Sequence, residues 1–157
     1  MGGEELERRV GDAEVVMDAF ESIPVAVAAL EGPEHRMVAA NRAYRAFAGR
    51  PDFIGKTARQ VFPDVAGQQL FELLDRVYAS GEPVTAREWR IQLDPDGGSA
   101  QDEVYLDFSL TPWRAADGGV RGILIVQTDV TDQVRERTAA LDSAVTAEHR
   151  YQPRAAS

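Results

Sequence analysis

The chain is 157 residues long, 44% of them hydrophobic, and its formal net charge is −9, which favours one domain with extensions around a real core and excludes bulk disorder. The acidic balance argues against a phosphate-binding surface for DNA or RNA and against docking on an anionic membrane, so no nucleic acid and no membrane are expected among the partners. No apolar stretch approaches the ~20 residues of a membrane span, and with no cysteine there are no disulfides, thiolate metal sites or cysteine nucleophiles.

The opening "MGGEELERRV" has neither the basic start nor the apolar centre of a signal peptide, which makes the cytoplasm the expected location. Lys56 is the only lysine among many arginines and alanines, a bias that points to a GC-rich bacterial genome. Residues 4–21 read as a helix. Leu6, Val10, Ala13, Met17 and Phe20 recur at 4-3-4-3 spacing and make one apolar stripe. Glu4, Glu5 and Glu7 crowd the first turn, where the helix dipole favours negative charge, and Pro24 ends the element.

"VAVAAL" (25–30) and "HRMVAA" (35–40) read as a hairpin joined by the turn "EGPE". Asn41 is a good N-cap for "RAYRAFA", which Gly49 closes. Between Pro51 and Pro63, "GK" and "FP" allow only short helical turns. "AGQQLFELLDRVYASG" (66–81) is an amphipathic helix, with Leu70, Leu74 and Val77 on one face, Phe71 and Leu73 at its edges and Gly81 as its stop. Three strands follow: "PVTAREWRIQL" (83–93), "VYLDFSLTPW" (104–113) with Val104, Leu106, Phe108 and Leu110 alternating, and "RGILIVQTDV" (121–130). The last is apolar on both faces, which predicts a mid-sheet strand covered on each side. From 131 to about 148 a final helix carries a thin seam of Val134, Thr138, Leu141 and Val145. The organisation is thus an N-terminal amphipathic helix over 1–22, a core over 23–131, and a C-terminal helix with linker over 132–157.

Catalytic patterns are missing. There is no Gly-x-Ser-x-Gly elbow and no glycine-rich phosphate loop. The loop "DPDGGSAQDE" (94–103) is rich in carboxylates, but a calcium loop counted from Asp94 would put Ser99 at the glycine position and Tyr105 at the last ligand position. His35 and His149 are far apart and lack a metal-ligand pattern. The chain is therefore read as non-enzymatic.

The order of elements, with "NRAYRAFAG", "IGKTARQVFP" and the closing "DVTD", resembles a PAS domain over roughly residues 15–133. The resemblance implies an α+β fold: a five-stranded antiparallel sheet in the order 2-1-5-4-3, short helices on one face, and flanking helices at both ends. It implies a sensory and dimerisation module of a bacterial signal-transduction regulator. Such a module relays ligand or partner binding through its C-terminal helix to an effector of the histidine kinase or metal-dependent phosphatase type. Asp129 and Thr131 match the family's Asp-x-Thr signature where the last strand becomes the exit helix, and Asn41 matches the residue opening the first helix after the hairpin. These three form the expected signal junction. Asp129 or Thr131 can offer a side-chain oxygen to the free N–H groups of the exit helix, a cap worth ~1 kcal/mol.

Haem-binding relatives carry a histidine on the longer helix, and photosensory flavin relatives a reactive cysteine. Neither is present, so haem and cysteinyl-flavin photochemistry are not expected. A pocket for a small apolar ligand between helices and sheet would be walled by Val27, Tyr44, Phe47, Ile54 and Phe62, and by Leu70, Leu74, Trp89 and Phe108. Arg87, Arg90, Tyr105 and above all Gln127 are its candidate polar groups. Trp89 and Trp113 suit either a pocket wall or a sheet surface packed on a partner. The alternative is a ligand-free protein–protein interaction domain whose core these side chains fill. The N-terminal stripe packs either on its own sheet or on a second subunit; a homodimer with its exit helices in a short parallel coiled coil is expected.

Overall fold

Residues 26–31 bury every second side chain, Ala26, Ala28 and Leu30, the period of two that a strand with one covered face requires. The computed structural model, which describes residues 2–49, 52–62, 68–92 and 103–151, sets this strand (β1, Ala26–Glu31) in a five-stranded sheet. Its companions are β2 (Arg36–Ala40), β3 (Val84–Gln92), β4 (Glu103–Arg114) and β5 (Val120–Asp129). All neighbours are antiparallel and the order is β2-β1-β5-β4-β3, as expected. The helices are α1 (Gly2–Val10), α2 (Ala13–Ser22), α3 (Arg42–Ala48), α4 (Ala58–Val61), α5 (Gln68–Ser80) and α6 (Thr131–Tyr151).

One face of the sheet is the core. Leu30, Met37, Leu110 and Ile123 are fully enclosed, and Phe53, Leu74 and Val77 close over them from the helical side. Burying each such side chain contributes about 1.5–3 kcal/mol. In α5 the deepest residues are Phe71, Leu74 and Val77, with Leu70 and Leu73 half-buried. The buried face is therefore turned slightly from the expected one. Gly81 stops α5 in a left-handed conformation (φ 70°) that glycine adopts without steric cost.

The N-terminal helix is not continuous. Gly11, at φ 117°, breaks the predicted helix into α1 and α2, and the 4-3-4-3 stripe crosses the break. A glycine interior to a helix costs about 1 kcal/mol relative to alanine, and here the backbone leaves the helical region altogether. Most of the stripe also finds no cover on its own sheet: Leu6, Val10 and Met17 remain 59–64% exposed and Ala13 is exposed, while Phe20 is half-buried.

Nor is β5 covered on both sides. Its outward side chains Leu124 and Val126 keep 39% and 41% of their surface. Of the expected features, the carboxylate-rich hairpin loop (except Glu103, which opens β4), Pro51, Pro63 and the tail after Tyr151 lie outside the described residues. The side chain of His149 does as well.

Candidate functional site

Alternation along β5 puts Ile123, Ile125 and Gln127 on the core side. Gln127 pairs in register with Ala26 on one side and Phe108 on the other. Its side chain is only 9% exposed, and its amide nitrogen Nε2 has no hydrogen-bond partner among the described residues. A buried donor left unpaired costs about 1–3 kcal/mol, so this amide is suited to an acceptor supplied from outside the fold. Beside it, Phe108 meets Trp89 edge to face at 5.6 Å between ring centroids.

Trp89 reaches the core side because β3 carries a bulge between Ala86 and Trp89. An extra residue reverses which alternate positions face inward. Without it, Glu88 rather than Trp89 would continue the inward row begun at Ala86.

The structure brings together most of the predicted pocket wall. Tyr44, Leu74 and Phe108 are buried in one cluster, with Phe47, Phe62, Leu70 and Trp89 packed against it half-buried. Burial pushes the Tyr44 phenol well above its ordinary pKa, and its ring leans on Phe53. Two predicted wall residues are not there. Val27 has the wrong parity: β1 turns Ala26 and Ala28 inward, and Val27 lies across from Val126 on the opposite face. Ile54 is 55% exposed, in the turn before Gly55. Among the polar candidates, Arg87 and Arg90 point outward, Arg90 to Glu103 at 3.0 Å, and Tyr105 is half-buried with its hydroxyl 3.3 Å from the same carboxylate. Trp113 lies half-buried on the outer face, under the Arg121 guanidinium and over Gly122.

The strand-to-helix junction is built from Asp129 and Thr131, with divided labour. The Thr131 backbone N–H donates to Asp129 Oδ1 at 2.9 Å, and the Thr131 hydroxyl donates to the same oxygen. Asp129 is thus the cap. Thr131 Oγ1 in turn accepts the backbone N–H of Tyr105 at 3.0 Å, while Val130 N–H donates to the Tyr105 carbonyl at 2.8 Å. Thr131 and Val134 are buried, so the first turn of α6 is fastened to β4. One turn later Arg135 Nη2 donates to the Glu103 carbonyl, and Arg137 pairs with Glu88 at 2.5 Å. The Glu88 hydrogen bond raises the Arg137 pKa.

Asn41 does different work. Its fully buried amide oxygen accepts from the backbone N–H of Val27 and of Tyr44, and its Nδ2 donates to the Val25 carbonyl. It joins the entry to β1 with the start of α3, and none of these bonds goes to Asp129 or Thr131. Sequence reasoning missed three further contacts. Arg45 holds Glu21 through two bonds of 2.6 and 2.7 Å, tying α2 to α3. That hydrogen bond keeps the Glu21 carboxyl below the ordinary carboxylate range. The buried His35 meets Asp75 at 2.7 Å, and Glu88 meets Arg137. Their partners are too distant in sequence for any local pattern to reveal them.

With this geometry in view, a family model of the PAS fold matches residues 20–135. Similar solved structures include an RNA-binding light-oxygen-voltage receptor: 22% identity, TM-score 0.62, covering 88% of this chain and 38% of that one. A second is the VqmA dimer of Vibrio cholerae, described in the absence of its target DNA: 21% identity, TM-score 0.60, covering 78% of this chain and 53% of that one. A third is the PAS domain of the histidine kinase ThkA: 18% identity, TM-score 0.51, covering 67% and 98%. Likeness at these identities is likeness of fold.

The first two overturn the exclusion of nucleic acid drawn from net charge. The fold occurs in receptors that bind RNA and DNA, and this chain spans 38% and 53% of those proteins. Net charge summed over one chain bears on that chain's own surface and not on phosphate contacts made by segments outside it. Among the described residues, no helix is long and apolar enough to cross a membrane.

Proposed function

The chain belongs to the PAS fold family, and from that premise we propose that it is a non-enzymatic sensory and dimerisation module of a cytoplasmic bacterial regulator, driving an effector through α6. One observation carries the reading. Within five consecutive residues running from the central strand β5 into α6 lie a buried amide with no partner among the described residues, Gln127, and the two residues that fasten the exit helix, Asp129 and Thr131. A small, largely apolar ligand with one acceptor for Gln127 Nε2 would bind two residues from the helix clasp. A switch needs only a few kcal/mol between its states, and single hydrogen bonds of this kind are worth about 1 kcal/mol.

The effector is a histidine kinase, a metal-dependent phosphatase, or a nucleic-acid-binding domain of the kind in the similar receptors. The dimer rests on two uncovered apolar surfaces, the α1–α2 stripe and the outer side of β5. Of the residues expected in a coiled-coil seam, Val134 is buried, while Thr138, Leu141 and Val145 are exposed and available to a second subunit.

Native mass spectrometry of the purified protein tests this. The expected species is a dimer that retains a small molecule, and Gln127→Leu should lose the molecule and keep the dimer. A ligand-free dimer whose melting temperature no candidate compound shifts favours the interaction-domain alternative. A ligand-free monomer whose α6 amides exchange freely overturns both.

A further inference from the structure

The β3 bulge does more than turn Trp89 inward. Glu88, within it, has φ 52°, a left-handed backbone that L-residues other than asparagine, aspartate and glycine avoid. Two contacts hold it there. Its backbone N–H donates to Asp107 Oδ1 at 2.8 Å, and its carboxylate pairs with Arg137 Nη1 on α6. β3 is the edge of the sheet, so among the described residues no further strand pairs with the bulge on its outer side. Consecutive residues thus face opposite ways: Trp89 lies on Phe108, the register neighbour of Gln127, and Glu88 grips the exit helix.

We propose that the Arg87–Trp89 bulge is a latch for α6, closed through Glu88–Arg137 and opened when Trp89 is displaced from Phe108. This rests on the sensory reading above and names its regulation. The clasp at Thr131 anchors the first turn of α6 in both states, because its bonds are buried and made to the β4 backbone. The latch holds the next turn through an ion pair whose side chains are 57% and 40% exposed. Such pairs are weak and screened by salt, and so release readily. Arg135, which donates to the Glu103 carbonyl, belongs to the fixed root, so the helix pivots between Arg135 and Arg137 and the outer part of α6 swings. A left-handed residue supports the mechanism, since the bulge has a relaxed backbone to move toward once its partners let go.

Amide hydrogen exchange on the whole chain, without added ligand, reads the latch directly. Glu88→Gln and Arg137→Gln should each speed exchange of the α6 amides after Arg137 by about two- to five-fold. Exchange at 131–134 should stay unchanged, and the charge-reversed pair Glu88→Arg with Arg137→Glu should restore the slow rate. Raising the salt concentration should speed the same amides in the parent chain and not in Glu88→Gln. Trp89→Ala, which leaves both charges in place, should reproduce the effect. Unchanged exchange in the charge variants, or failure of the reversed pair to rescue, overturns the latch. Unchanged exchange in Trp89→Ala, checked as folded by its circular dichroism, reduces the pair to a static brace and overturns the coupling. A working latch in a protein that retains no ligand and forms no dimer would instead sink the sensory reading alone.

Discussion

Ile123 and Leu124 are neighbours in the chain with opposite fates. Ile123 is fully enclosed between sheet and helices, while Leu124 keeps 39% of its surface, among Ala29, Val27 and Val126 on the other side of the same sheet. The strand is equally apolar on both sides, so composition does not account for the difference. What differs is the cover: α3, α4 and α5 close the inner face, whereas α1 and α2 leave the outer one open. Folding alone satisfies the inner half of β5. The outer half keeps an apolar surface that a partner can bury.

The largest test of that contrast is a matched pair of truncations. Ile123→Ala should cost about 2–5 kcal/mol in denaturant unfolding, and Leu124→Ala less than about 1 kcal/mol under conditions where the protein is monomeric. Equal costs would mean that the chain covers its own outer face. Next in size is Thr131→Val, which removes the acceptor for the Tyr105 N–H in a buried setting and should cost about 1–3 kcal/mol, again read from unfolding curves. Val126→Glu should leave the monomer's stability within about 0.5 kcal/mol while halving the mass measured by light scattering; an intact dimer would place the interface elsewhere.

The smallest effect concerns the loosely attached end. The Glu21 carboxyl is held below its ordinary range by Arg45, so its contribution is complete above the carboxylate range and disappears as acid protonates it. Protection of the α2 amides, taken relative to the intrinsic exchange rate at each pH, should therefore fall at acidic pH and hold in mild alkali. Arg45→Gln should remove that dependence.

The architecture was legible in the sequence because strong local signals agree. Period-two runs, Asn41 as a cap, and Gly49 and Gly81 as stops led to the same element order that the structure shows. The "DVTD" signature located the exit junction, although not the split between Asp129 as cap and Thr131 as fastener. That split depends on where Tyr105 of a neighbouring strand lies. The regular 4-3-4-3 spacing read as one helix over 4–21, and the break at Gly11 was missed. Val27 was assigned to the pocket because composition carries no parity, and one step along a strand changes the face. The β3 bulge left no mark in the residue pattern, and the partner of Glu88 lies far along the chain. The least legible contacts are those formed between elements, where geometry and not neighbourhood in sequence decides.

The position of β5 has a bearing on how the protein is made. The strand nearest the exit helix is also the one between β1 and β4, so the β1–β2 hairpin and the β3–β4 pair have no common sheet until it arrives. Contacts so distant in sequence form late and slowly, and a nascent chain emerges N-terminal end first. On the ribosome the domain therefore stays as two open halves until the residues up to about Asp129 have been synthesised, and the segment that completes the sheet is the same one that launches α6. A chain cut short by premature termination before that point would be an incomplete sheet with raw edges, ready for proteolysis, and not a weakly active regulator.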